Sequence, residues 1–324
     1  MVNARTAKED LRSVARGPGR LPAWFAQERV FRLIPFLAVE LTFLLLLAVP
    51  FIMTIYISLL KWRANRPFES ASFYGLLNFA RVLTTVDFWA AVGRTFYFAG
   101  VAVSLELVIG FLMAMLVYQE FRGRRFYITV FLIPMMVVPV VVGYNFSMIY
   151  IDSGPLNQVL SPFLKIVGIN PRIRWLSYPA AAQWAMILAD VWQWTSLTFL
   201  IFLSGFSALP QQLINAARIM GANRWQIFWR VQLPLLKPAI MIAVVIRAME
   251  ALKLFDQAVL LTFGGPGTAT ETIAFFLWRQ VWIFNKYSFG AAASVLLLCL
   301  FSGLIYGGIY VLVRERAVMQ QERG

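Results

Sequence analysis

The sequence has no histidine and one cysteine, and only 14% of its 324 residues are charged, where a soluble protein carries about 25%. Without histidine, Ser-His-Asp and Cys-His catalytic arrangements are excluded, and nearly all zinc sites go with them. The single cysteine, Cys299, sits in an apolar run; it builds no disulfide framework within the chain and reads as a small apolar residue. So few charges cannot cover two soluble cores of about 150 residues each. Disorder is excluded too, because 60% of the residues are hydrophobic and disordered chains are poor in them. What the chain does have is hydrophobic length, which makes it an integral membrane protein.

Six apolar runs reach the ~20 residues a spanning helix needs: Leu33–Leu60, Phe88–Tyr118, Phe126–Tyr150, Ala180–Phe206, Pro238–Phe263 and Phe289–Val313. They are apolar all round, whereas barrel strands alternate over ~10 residues. The expected fold is therefore an all-α integral membrane protein with six transmembrane helices. The first run is too long for the apolar core of a signal peptide, and it reads as an uncleaved span. The net charge of +14 has a bland source in loops that hold spans in orientation. No basic run is interleaved with stacking aromatics outside the spans, so nucleic acid is not an expected partner. The two tails and the loops at 119–125 and 207–237 hold 17 Lys and Arg, against nine in the alternate loops. That bias places both termini in the cytoplasm. The expected organisation is a basic tail at 1–32, a six-span domain at 33–313 and a short tail at 314–324.

Most helix–helix connections run 2–8 residues, yet the loop at 207–237 is about 31 long and carries four cations and no acid. Pro210 suits a first helical turn. Leu213, Ala216, Ala217 and Met220 fall at helical spacing on one apolar face, and Gly221 suits a helix C-terminus. A second amphipathic piece follows, with Leu233-Pro234 and Pro238 expected to end it. On these grounds alone, the loop is either a helix lying on the membrane surface or one that docks into a partner's groove.

Asn215-Ala216-Ala217, Gly221 and Leu233-Pro234 resemble the "EAA…G…LP" loop of permease subunits of binding-protein-dependent ABC importers, with Asn215 standing where that family has Glu. Gly264-Gly265-Pro266-Gly267 with Thr270-Glu271-Thr272, Val191-Trp192-Gln193-Trp194-Thr195 and Phe255-Asp256 are similar to the carbohydrate-uptake class, the relatives of the maltose transporter's two membrane subunits. The resemblance implies a bacterial cytoplasmic-membrane subunit, multi-pass, that passes a sugar inward by alternating access. It implies a second permease subunit, two copies of a cytoplasmic ATPase subunit and an extracytoplasmic sugar-binding protein. ATP and Mg²⁺ would act in the ATPase and no cofactor in this chain, which has no G-x-x-x-x-G-K-[ST] phosphate loop. In the family the loop's helix docks in a cleft of the ATPase, so Asn215, Ala216, Ala217, Gly221, Leu233 and Pro234 are the implied coupling residues.

Ionisable residues at span depth are costly and mark functional sites by default. Glu40 and Glu106 read as buried partners, and Arg94 as a residue that snorkels at an outer helix end. Arg247, Glu250, Lys253 and Asp256 repeat every three residues with alternating sign. They form either a self-neutralising ladder or part of a wet pathway. Asp190, Gln193, Trp194 and Leu197 share one face of the fourth run, combining an acid, an amide and an indole that suit a sugar's hydroxyls and C–H faces. Trp194 serves equally as core, and Trp192 points to another side. The resemblance places substrate between the fourth and fifth spans, against Asp190, Gln193, Trp194 and Leu197 and against Arg247, Glu250, Ala251 and Leu254. Asn145 is either a further contact or a helix–helix hydrogen bond. Arg247 would suit an anionic sugar unless Glu250 neutralises it.

Two other classes compete. An ion-coupled carrier would use Asp190, Glu250 and Asp256 but needs no docking loop. A membrane enzyme would have only scattered acids to work with. Within the importer reading, a polyamine or an oxyanion is the alternative solute.

Overall fold

A computed structural model describes residues 28–166, 168 and 173–321. Most of the expected basic tail, at 1–27, and the last three residues lie outside the described residues. The chain divides into two units, 1–57 and 58–324. The first is described through one helix, α1 (Glu28–Ser58), whose stretch Val39–Ser58 has a mean hydropathy of 2.3. Leu37, Leu41 and Leu44 to Leu47 are exposed on it. Glu40, expected to be a buried partner, is exposed.

The second unit opens with a short antiparallel hairpin, β1 (Leu60–Lys61) and β2 (Ser72–Phe73), in which Leu60 lies opposite Phe73. A short helix, α2 (Leu77–Thr84), leads into the long α3 (Val86–Val117). Then come α4 (Arg124–Leu132), α5 (Pro139–Ile149), α6 (Pro155–Ile166) and α7 (Pro179–Ser207). The chain continues through α8 (Gln211–Ile219), α9 (Arg224–Ile227), α10 (Leu233–Ala251), α11 (Ile273–Trp278) and α12 (Tyr287–Gln321). Four helices among the described residues are long and apolar enough to cross a bilayer, and a bent pair makes up to five.

α3 and α7 form the spine and pack along much of their length. Gly110 allows this approach, since a Cβ there would meet the Phe199 amide nitrogen at 2.8 Å; small residues let spanning helices come this close. At one end of the spine, Val117, Phe202 and Phe206 pack with Ile214, Ala217 and Ile227. At the other, Phe88 packs with Phe276 and Ala292.

Three expected elements are corrected. The third run is not one straight span: α4 with the 3₁₀ turn Pro134–Met136 meets α5 at a 95° bend. Pro134 and Pro139 supply no amide to a helical ladder. Val138, preceding proline, is extended at φ −62° and ψ 135°, as the proline ring requires. The fifth run starts earlier and stops sooner than expected. Helix runs from Arg224 through a π turn, Phe228–Gln232, into α10 and ends at Ala251. Leu233-Pro234 and Pro238 therefore do not end the second piece of the loop. In the π turn the Leu233 amide reaches the Phe228 carbonyl, five residues back. This wider turn is the usual way a helix absorbs a local irregularity. Beyond Ala251 the chain is irregular until a second π turn, Ala258–Thr262.

Candidate functional site

Three ionisable side chains meet inside the second unit, one from each of α3, α7 and α10. Arg247 of α10 gives both Nε and Nη2 to the Glu106 carboxylate of α3, the Nη2 bond being 2.8 Å. The same Nη2 donates to Asp190 Oδ2 of α7 at 2.9 Å. All three are buried, Arg247 to 1% exposure. The Trp194 ring closes one side of the guanidinium, with its centroid 4.8 Å from Cζ. Thr198 adds a fourth tie, donating to the Glu106 carbonyl at 2.8 Å. This arrangement takes up the Nε and Nη2 edge of Arg247 with two carboxylates. Glu106 is the buried partner its sequence context implies. Glu250 does not neutralise Arg247; it is exposed and pairs with Lys253 at 3.1 Å.

The two irregular stretches lie beside this cluster. Non-helical backbone at membrane depth survives only where protein buries it or where it lines a water-filled cavity. At the first break, Gln193 Nε2 donates to the Val137 carbonyl at 2.8 Å. At the second, Thr272 Oγ1 donates to the Leu254 carbonyl at 2.7 Å. α5 packs against the second π turn, so the broken segments adjoin. Gln193 Oε1, Thr195 Oγ1 and Gln257 Oε1 are buried and make no hydrogen bond among the described residues.

The residues singled out from the sequence divide into two groups here. Asp190 and Gln193 are buried in the supporting network, and Trp194 and Leu197 are half-buried beside it. Ala251 is buried, and Leu254 is half-buried against the core around Phe98 and Met186. Asn145 and Glu250 are exposed. Asn145 lies in an open groove of about 510 Å³ with Val137, Phe146, Met148 and Trp192. Trp192 meets Phe146 edge-on at 5.4 Å. Helical spacing set Trp192 apart from Asp190; it did not show that α5 would bring Asn145 to that other side.

At the far end of the spine, α8 stands out from the body on two anchors. Ile214 and Ala217 are buried, while Leu213, Asn215, Ala216 and Met220 are exposed. The apolar face expected from Leu213, Ala216, Ala217 and Met220 is thus not the face that packs inward. The helix ends as Gly221 permits: φ is +83°, the Gly221 amide bonds Arg218 and the Ala222 amide bonds Ala217, each at 3.0 Å. This paired closure satisfies the last carbonyls. Asn223 then caps α9 reciprocally with Gln226. Trp225 and Trp229 stack at 6.1 Å between ring centres and are exposed. Leu233 and Pro234 lie at the start of α10.

The glycine-rich loop after the second break is tied down by a buried acid. Glu271 Oε1 lies 2.7 Å from Arg279 and Oε2 lies 3.5 Å from Arg94, and Arg94 Nε donates to the Glu271 carbonyl at 3.0 Å. Burial pushes the Glu271 carboxyl up from the ordinary carboxylate range, against the pull of Arg279 and Arg94. Arg94 therefore reaches inward to this loop. A span-by-span reading misses the pair because 177 residues separate its members.

Residues 106–316 match the family described as binding-protein-dependent transport system inner membrane component. The chain is 40% identical over 253 residues, covering 78% of it and 79% of the relative, to a probable ABC transporter permease protein, y4oQ, of Sinorhizobium fredii. It is 36% identical over 265 residues, 82% of this chain and 86% of the relative, to the trehalose/maltose transport system permease protein MalF of Thermococcus litoralis. A chain in the crystal structure of a bacterial alginate ABC transporter, in complex with an alginate pentasaccharide-bound periplasmic protein, has the same fold. Its TM-score is 0.71 at 21% identity, over 87% of this chain and 94% of that one. The match over residues 106–316, together with 40% identity over 253 residues to a permease protein, makes this chain a member of the family of inner membrane components of binding-protein-dependent transport systems.

Proposed function

We propose that this chain is the permease subunit of an ATP-driven importer that takes a sugar or sugar derivative from an external binding protein. The family moves solutes and leaves ATP hydrolysis to a separate subunit, in keeping with the missing phosphate loop. The importer reading is carried by α8, which is anchored by two side chains and leaves the rest of its surface free. Asn215, Ala216 and the Gly221 closure would enter a cleft of a cytoplasmic ATPase, and Leu233 and Pro234 would pass its motion through the π turn into α10. Two ATPase copies, with ATP and Mg²⁺ bound there, and a second permease subunit would complete the assembly. The chain would cross the bacterial cytoplasmic membrane six times with both termini inside, as the Lys and Arg bias supports.

The sugar reading draws on two observations. Relatives are named for trehalose/maltose, for starch degradation products and for trehalose. The exposed polar and aromatic groups on or facing the broken spans, Asn145, Glu250 and Trp192 of α7, suit hydroxyls and C–H faces. Arg247 is paired with two carboxylates that would repel a further anion, which argues for a neutral ligand at that point. It also leaves Asp190 ill-placed for proton coupling.

The test is co-purification of the tagged chain from its own membranes in mild detergent, with mass identification of what stays bound. Recovery of a second permease and an ATPase is expected, and the associated binding protein is then screened against sugars. Recovery of the chain alone in several detergents would sink the importer assembly. Binding of a polyamine or an oxyanion, and of no sugar, would replace the substrate class.

A further inference from the structure

We propose that a basic pocket at the end of the second unit opposite α8 seats the phosphate of an anionic phospholipid headgroup. The pocket has a volume of about 810 Å³ and lies between the β1–β2 hairpin, α2 and the start of α12. Lys61, Arg63, Arg66, Arg81 and Lys286 line it, and all five are exposed. Among the described residues, none of the five has a carboxylate within ion-pair distance. Three approach rings instead. Lys61 and Arg81 converge on Tyr74 at 5.7 and 5.1 Å, and Lys286 lies 5.3 Å from the centre of Phe284. Five like charges around one concavity repel one another, and a bound anion relieves that repulsion. A phosphate also accepts two parallel hydrogen bonds from a guanidinium.

The pocket is built on a fixed floor. The Trp62 amide donates to Ser288 Oγ at 3.0 Å and the Trp62 indole to the Arg66 carbonyl at 3.1 Å. Asn78 Nδ2 donates to the Leu60 carbonyl at 2.7 Å, and the Ala64 amide reaches the Asn285 carbonyl at 3.3 Å. Hairpin, α2 and α12 are thereby held in register around the cations.

Its surroundings select a lipid over a soluble anion. α3 and α12 both begin at this level, so it marks the boundary between apolar core and water. Phe73, Leu76 and Val86 beside it are 77%, 71% and 79% exposed. Exposed apolar groups next to uncompensated cations fit acyl chains below and a charged headgroup above. An acidic protein face would match the cations and leave the apolar groups in water.

The test is native mass spectrometry of the permease purified with its bound subunits and titrated with phosphatidylglycerol or phosphatidylethanolamine. Phosphatidylglycerol is expected to be retained and phosphatidylethanolamine not. Lys61→Gln, Arg66→Gln and Arg81→Gln together should abolish that retention, at about fivefold per cation removed, with an unchanged thermal midpoint. If the triple variant is not recovered, Arg63→Gln and Lys286→Gln singly should each weaken retention about fivefold. Equal retention of the two lipids, or undiminished phosphatidylglycerol on the variants, overturns the proposal. Displacement of the lipid by millimolar inorganic phosphate reassigns the pocket to a soluble anion. Variants that keep the lipid but lose stimulation by the binding protein reassign it to a protein contact.

Discussion

Arg247 touches two carboxylates and one indole with almost no exposed surface. Removing the cation leaves Glu106 and Asp190 facing each other in a buried site, and breaking such a pair from one side costs about 3–5 kcal/mol. Arg247→Met should therefore lower the thermal midpoint sharply in detergent, with poor recovery from membranes. Glu250→Gln, at an exposed pair with Lys253, should shift stability by no more than ~0.5 kcal/mol and change only the KM for uptake. A stable, monodisperse Arg247→Met protein would contradict the structural role given to the cluster. Gly221 poses a different residue-scale question. Nothing lies within 4 Å of a Cβ built there, so space is not limiting and the positive φ is. An L-residue in that conformation costs about 1–2 kcal/mol, and an acid would enter a loop that holds none. Gly221→Asp should abolish uptake while leaving membrane insertion intact; normal uptake by it would count against coupling through α8. Gly221→Asn, which tolerates that conformation better, should keep part of the activity.

At the scale of elements, the docking surface proposed for α8 extends beyond the motif that marks it. Trp225 on α9 and Trp229 in the π turn that follows it are 69% and 57% exposed. Exposed tryptophans contribute little to the fold and are the residues that dominate interfaces, with losses of about 2 kcal/mol or more on truncation. Trp225→Ala should leave the thermal midpoint unchanged and weaken ATPase retention at least about tenfold, read by pull-down at graded ATPase concentration. Helix existence was legible because apolar runs and the Pro210 and Gly221 punctuation are local signals. The breaks were not, because a run of apolar residues looks the same whether straight or bent. Pro134 and Pro139 hinted at the 95° bend, whereas Pro234 and Pro238 gave a false stop that the π turn absorbs. For the candidate site, the sequence displayed Asp190, Arg247 and Glu106 as costly residues but not as one cluster. Asp190 and Glu106 are 57 and 141 residues from Arg247 along the chain, and only packing of α3, α7 and α10 joins them.

For the whole molecule, alternating access requires that one surface among the spans meet water while another meets lipid. Asn145 and Met249 lie on exposed parts of α5 and α10, the two helices interrupted near the buried cluster; Val108 is 59% exposed on unbroken α3. A thiol reacts as its thiolate, which forms in water and is suppressed in hydrocarbon. After Cys299, itself exposed, is replaced by Ala, single cysteines at 145, 249 and 108 can be compared with a membrane-impermeant maleimide in the reconstituted importer. Asn145→Cys and Met249→Cys should label, and Val108→Cys should not. Trapping the ATPase with ATP and vanadate should then change from which side of the membrane positions 145 and 249 are reached, as the proposed coupling through α8 requires. Saturating sugar should slow labelling at 145, beside Trp192. Equal labelling at all three positions would remove the pathway from this groove and leave the breaks as packing features alone.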